Sequence, residues 1–159
     1  MSNVVRLKVV QLEETFVVAI RNLLGQVSKD ILLTKKILDK PAFNVNIVIL
    51  AQKVIQMYIN PAILKIKEAR KNLEQLRRYN VTRKQTNPMS NLMLELADDL
   101  LIDVVIAKKN LEEIRLRSNA PVLAQVVIKK KLLPALDKID ELQKLLEYPE
   151  MRISKKHST

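Results

Sequence analysis

Four carboxylates crowd one stretch of this 159-residue chain: Glu95, Asp98, Asp99 and Asp103, with Glu95 to Asp99 and Asp99 to Asp103 each four positions apart. On a helix that spacing makes side chains neighbours on one face, and a row of carboxylates offers coordination of a hard divalent cation. Such cations take about six to eight oxygen ligands, more than one helix face supplies, and no His stands nearby. Like charges four apart repel. The spacing therefore predicts a surface face near a helix start that meets basic segments of this or another subunit, and no metal or cofactor is expected.

The cations are more numerous and point to a different chemistry. Lys and Arg outnumber Asp and Glu by 28 to 17, a net charge of +11. A field of that sign favours polyanions: nucleic acid, an acidic protein or an anionic membrane surface. Lys129, Lys130 and Lys131 are consecutive, Arg77, Arg78, Arg83 and Lys84 lie in a run without an acid from Gln75 to Leu94, and Lys155 and Lys156 follow the last acid, Glu150. These are the candidate phosphate contacts. With two Phe, three Tyr and no Trp, base stacking on a single strand is not expected, and contact with the backbone without sequence specificity is.

Catalysis finds little to work with. The one His is His157 near the end of the chain, Cys is absent, and there is no glycine-rich loop or G-x-S-x-G elbow, so the usual bases and nucleophiles are missing and no enzyme is expected. The lack of Cys also excludes a disulfide framework and fits a reducing compartment. The longest uncharged run, Val54 to Leu64, has 11 residues, too few to span a bilayer. No signal peptide is visible in MSNVVRLKVV, whose charges interrupt its apolar run. A cytoplasmic or virion-like intracellular assembly is expected, not a secreted protein.

The elements that would position these residues come in two copies. Sliding the chain by 73 positions matches residues 30 to 74 with residues 103 to 147 at 18 of 45 positions without a gap. The matches include Asp30 with Asp103, Gln52 with Gln125, Pro61 with Pro134, Lys65 with Lys138 and Ile66 with Ile139. Only one Gly occurs, and Leu, Ile, Val, Lys and Glu dominate, which is the composition of a long-helix protein. The expected fold is all-α: a four-helix bundle of two duplicated hairpins, about 16–78 and 89–148, related by a pseudo-twofold axis. A basic linker at 79–88 joins them, residues 1–15 are an N-terminal extension or arm, and 149–159 form a basic tail.

Periodicity fills in the helices. Val17, Ile20, Leu24, Val27, Ile31, Thr34 and Leu38 step by three and four, answered by Met93, Ala97, Leu100, Val104, Ala107 and Leu111. Gly25 stands opposite Asp98 in the repeat and so should face water. The first helix should stop near Asp39, before Lys40-Pro41, and the second start from a cap at Asn44 or Asn46. Its seam reads Val48, Gln52, Ile55, Ile59, Ala62, Ile66, Ala69, Leu73 and Leu76, with Gln125, Ile128, Leu132, Ala135, Ile139, Leu142 and Leu146 in the second copy.

That seam places Gln52 and Gln125 in the core, where an amide-to-amide bond across the axis would fix register. Pro61 and Pro134 predict a matched kink or break. Lys65, Glu68, Lys71 and Glu74, repeated as Lys138, Glu141, Lys144 and Glu147, read as a solvated face. The expected function is a basic helical structural or packaging protein that self-assembles and binds nucleic-acid backbone; the alternative is a scaffold or adaptor that binds an acidic protein.

Overall fold

The computed structural model describes the backbone of residues 3–39, 46–82 and 88–147, and within these the side chains of 14–39, 46–79 and 89–147. Over those residues the chain is all-α and builds four helical rods. The first is α1 (Asn3–Asp39), which carries residues 3–15 without a break. The second is α2 (Ile47–Val54), one π-helical turn (Ile55–Ile59) and α3 (Asn60–Thr82). The third is α4 (Pro88–Glu113), closed by a 3-10 turn at Ile114–Leu116. The fourth is α5 (Ala120–Val127), a second π-turn (Ile128–Leu132) and α6 (Leu133–Glu147).

The rods form a square. α3 packs on α1 and α4, α6 packs on the same two, and α3 and α6 stand diagonally opposite. Chain direction alternates around the square: Arg21 pairs with Glu147 near one end, while Gln125 donates to the Leu38 carbonyl near the other.

The first and third rods follow their apolar spacing directly. Val17, Ile20, Leu24, Val27, Ile31 and Leu38 are buried, as are Met93, Ala97, Leu100, Val104, Ala107 and Leu111. Thr34 is buried too and donates its hydroxyl to the Asp30 carbonyl at 2.9 Å, which satisfies it within its own helix. α1 ends at Asp39, while Lys40, Pro41 and Asn44 lie outside the described residues. Asn46 caps α2, its side-chain oxygen accepting from the Val48 N–H at 2.9 Å. That satisfies one of the donors a helix start leaves open. Gly25 faces open space.

The two prolines neither break nor sharply interrupt their rods; each follows a π-turn. Proline has no N–H for the carbonyl four residues back and its ring crowds that carbonyl. Here the residue before each proline donates five residues back instead: Asn60 to the Ile55 carbonyl and Leu133 to the Ile128 carbonyl. The widened turn takes in one extra residue, as single-turn π-bulges do. The two turns lie 73 positions apart.

The extra residue corrects the expected seam. Below each π-turn the spacing of three and four holds: Ile59, Ala62, Ile66, Ala69, Leu73 and Leu76 are buried in α3, and Leu132, Ala135, Ile139, Leu142 and Leu146 in α6. Crossing the turn takes a step of five, so the buried set upstream is Ile47, Ala51 and Val54 in α2, and Ala120, Ala124 and Val127 in α5. A constant heptad carried through the turn lands one residue late, on Val48, Gln52 and Gln125. Gln52 is exposed, Gln125 is half-buried and bonded to the Leu38 carbonyl at 3.4 Å, and the register bond between the two amides is not made.

Candidate nucleic-acid interface

Two ion pairs mark the middle of the bundle. Lys65 of α3 reaches Asp30 of α1 at 2.8 Å, and Lys138 of α6 pairs with Asp103 of α4. Both carboxylates are largely enclosed, with side-chain exposures of 13% and 10%. At such sites each ion depends on its partner, because a buried charge left alone is costly. Lys65 and Lys138 therefore do not lie on the solvated face expected of them. The sequence did hold a signal: all four residues belong to the identities of the 73-residue repeat, and Asp30 and Asp103 sit one step from buried Ile31 and Val104.

The acidic stretch of α4 meets bases at two of its four carboxylates, and it is a surface face at Glu95 and Asp99 but not at Asp103, which is buried. Asp98 is paired with Arg70 of α3, and this hydrogen bond, then the carboxylate's charge, raises the Arg70 pKa further above its ordinary value. Asp103 is taken by Lys138. Among the described residues no cluster of three or more metal-ligating side chains forms.

The candidate phosphate contacts separate into three groups. Arg77 and Arg78 belong to α3, which runs on to Thr82 rather than ending near Arg78, and both are engaged by Glu74, at 2.7 and 3.5 Å. Arg77 also donates to Asn91 of α4 at 3.5 Å. Within this groove, shared with Arg70, Glu95 and Asp98, the arginines are neutralised by carboxylates, which weakens the case for phosphate there. Arg83, Lys84, Lys155 and Lys156 lie outside the described residues.

Lys129, Lys130 and Lys131 occupy the three middle positions of the second π-turn. Lys129 and Lys130 are exposed and Lys131 is half-buried. Among the described residues, none of the three forms an ion pair. Buried Val127, Ile128 and Leu132 flank them, so the three consecutive lysines fan around an anchored turn of the rod, with Lys129 and Lys130 exposed.

Sequence order conceals how the charges are distributed along the bundle. A plane just past the Asp30–Lys65 and Asp103–Lys138 pairs cuts the rods at 27/28, 65/66, 101/102 and 138/139. Of the described side chains on the half holding both π-turns, thirteen are Lys or Arg and six are Asp or Glu; on the other half seven cations face nine carboxylates. Among the described side chains the balance is thus +7 on one half and −2 on the other. Linear order hides this segregation because each half draws a piece from every rod.

No known protein family, curated protein or solved structure matches the chain.

Proposed function

We propose that this protein is a non-enzymatic helical structural protein that self-assembles and binds nucleic-acid backbone without reading sequence, through the half of the bundle that holds the π-turns. The observation that carries the reading is the run of Lys129, Lys130 and Lys131, which makes no ion pair among the described residues and lies on the half whose described side chains carry the larger positive charge. Phosphate contacts by Lys and Arg release condensed counterions and require no base-edge complementarity. The bundle itself we infer to be a duplicated hairpin with a pseudo-twofold axis. In support, the π-turns, the two mid-bundle ion pairs and the buried positions around Ile66 and Ile139 all recur at an offset of 73.

The test is duplex DNA binding against salt. A plot of log affinity against log salt should be steep, with a slope of about −0.9 per phosphate neutralised. Replacing Lys129, Lys130 and Lys131 by Gln, Met and Tyr, the residues of the first π-turn, should flatten the slope by about 0.9 for each phosphate that is no longer neutralised. Absence of binding at low salt, or a slope unchanged by the triple substitution, counts against the reading.

A second reading rests on one further observation. Val122, Val126 and Leu133 are exposed around the three lysines, and apolar side chains gain nothing from phosphates. They suit an acidic protein partner with apolar side chains of its own. Capture of one defined protein that survives nuclease treatment favours that partner.

A further inference from the structure

The stretch from 47 to 64 is unlike the rest of the surface. Its mean hydropathy is 1.5, yet only 39% of it is buried in the bundle. Ile49, Met57 and Leu64 are exposed at 48%, 59% and 67%. Gln52 and Gln56 are exposed and Asn60 is half-buried, and Lys53 is the single charge of the stretch. In a chain of net charge +11, this is where two copies approach each other with the least repulsion.

Its pattern is also nearly palindromic. About a point between Gln56 and Met57, Ile49 mirrors Leu64 and Lys53 mirrors Asn60. Two copies of the rod laid antiparallel about that point place aliphatic against aliphatic and lysine against amide. Amides donate and accept, so they suit a surface that must complement itself. The two Lys53 side chains then sit seven residues apart along the axis, about 10 Å at 1.5 Å per residue, which is about one Debye length at 0.1 M salt.

We propose that the outer face of α2 and the first π-turn is the surface on which a second copy of this chain docks, antiparallel and twofold, with Gln56 and Met57 at the axis. This rests on the self-assembly in the proposed function and names its surface. α6 stands diagonally across the bundle from α3, so the paired molecules carry their lysine triplets on opposite outer sides. Such a dimer bridges two polyanion segments.

Light scattering and sedimentation at about 0.05 and 0.5 M salt test the proposal. The dimer should tighten as salt screens the like net charges, opposite to the salt dependence of polyanion binding. Met57→Lys sets like charges together at the axis and should weaken association by at least about tenfold, whereas Lys130→Met, 73 positions on, should leave it intact. Because the chain has no Cys, a single Met57→Cys should form a disulfide-linked dimer on oxidation, and Lys130→Cys should not. A wild-type chain that stays monomeric overturns both this interface and the self-assembly reading. A dimer that persists in Met57→Lys overturns this interface alone. Flotation with anionic vesicles, lost in Met57→Lys, assigns the face to lipid and overturns it too.

Discussion

The two π-turns have one backbone and two surfaces. Ile55–Ile59 presents Gln56, Met57 and Tyr58, where Ile128–Leu132 presents Lys129, Lys130 and Lys131. What is common to both lies around those positions: Val54, Ile55, Pro61, Ala62, Lys65 and Ile66 recur unchanged as Val127, Ile128, Pro134, Ala135, Lys138 and Ile139. The buried and proline positions dictate the turn, and the outward ones are released from that duty. Divergence at three positions is then enough to make one turn neutral and the other cationic without repacking the core.

The largest effect expected from disturbing this comparison comes from removing the extra residue. Deleting Gln56 turns the five-residue step from Val54 to Ile59 into the four-residue step of an α-helix, so Ile47, Ala51 and Val54 keep facing the core. What it restores is the crowding of the Pro61 ring against the carbonyl four residues back, at about 3 kcal/mol or more. Deleting Lys130 should cost about as much, since Pro134 follows the second turn as Pro61 follows the first. Urea unfolding of both deletions measures this cost; two deletions without loss would show that the turns do not serve to relieve the prolines.

Next in size are the matched core truncations. Ile66 and Ile139 are both buried, at 0% and 3% exposure, and Ile→Ala at such sites costs about 2–5 kcal/mol. The proposed duplication requires the two variants to lose nearly the same stability. A gap above about 2 kcal/mol, within the spread that such sites show, would break the equivalence of the hairpins.

The mid-bundle pairs follow. Asp30→Ala or Asp103→Ala leaves a half-buried ammonium without its carboxylate, at about 2–3 kcal/mol. Replacing both partners, Asp103→Leu with Lys138→Leu, should cost less than either single change, because no charge is left uncompensated. If the double variant loses as much as the sum of the singles, the pair contributes directly and not through avoidance of a lone charge.

The same comparison explains what is legible in the sequence. Helix class, the stripes of α1 and α4, the Asn46 cap and the water-facing Gly25 follow from local spacing, and local spacing survives folding. Gln52 and Gln125 fall in the wrong place because a constant heptad has no way to represent a five-residue step. Pro61 and Pro134 signal that step, but a proline in a helical pattern fits a kink, a break or a π-turn equally well. Arg77 and Arg78 look like free cations only while Glu74, three and four positions back, is assigned to another face. The segregation of charge between the two halves requires knowing which residues share a height, and that is a property of the square of rods.

The smallest expected effect probes where the two seams differ. Arg70 and Asp98 join α3 to α4; 73 positions away, Gln143 and Gly25 stand on the seam of α6 and α1. Gln143 donates to the Arg21 carbonyl at 3.1 Å, while its own side-chain oxygen is buried and finds no partner among the described residues. A Cβ added at Gly25 meets nothing within 4 Å, so Gly25→Ala should stabilise the protein by up to about 1 kcal/mol through helix propensity alone. Gly25→Asp with Gln143→Arg rebuilds the missing ion pair, and at a half-exposed site it should contribute about 0.2–1 kcal/mol beyond the two single changes. A double-mutant cycle in urea isolates that coupling. A coupling of zero would mean that the two seams differ in backbone approach and not only in side chains, because the same pair of residue types would then fail to meet in the same way.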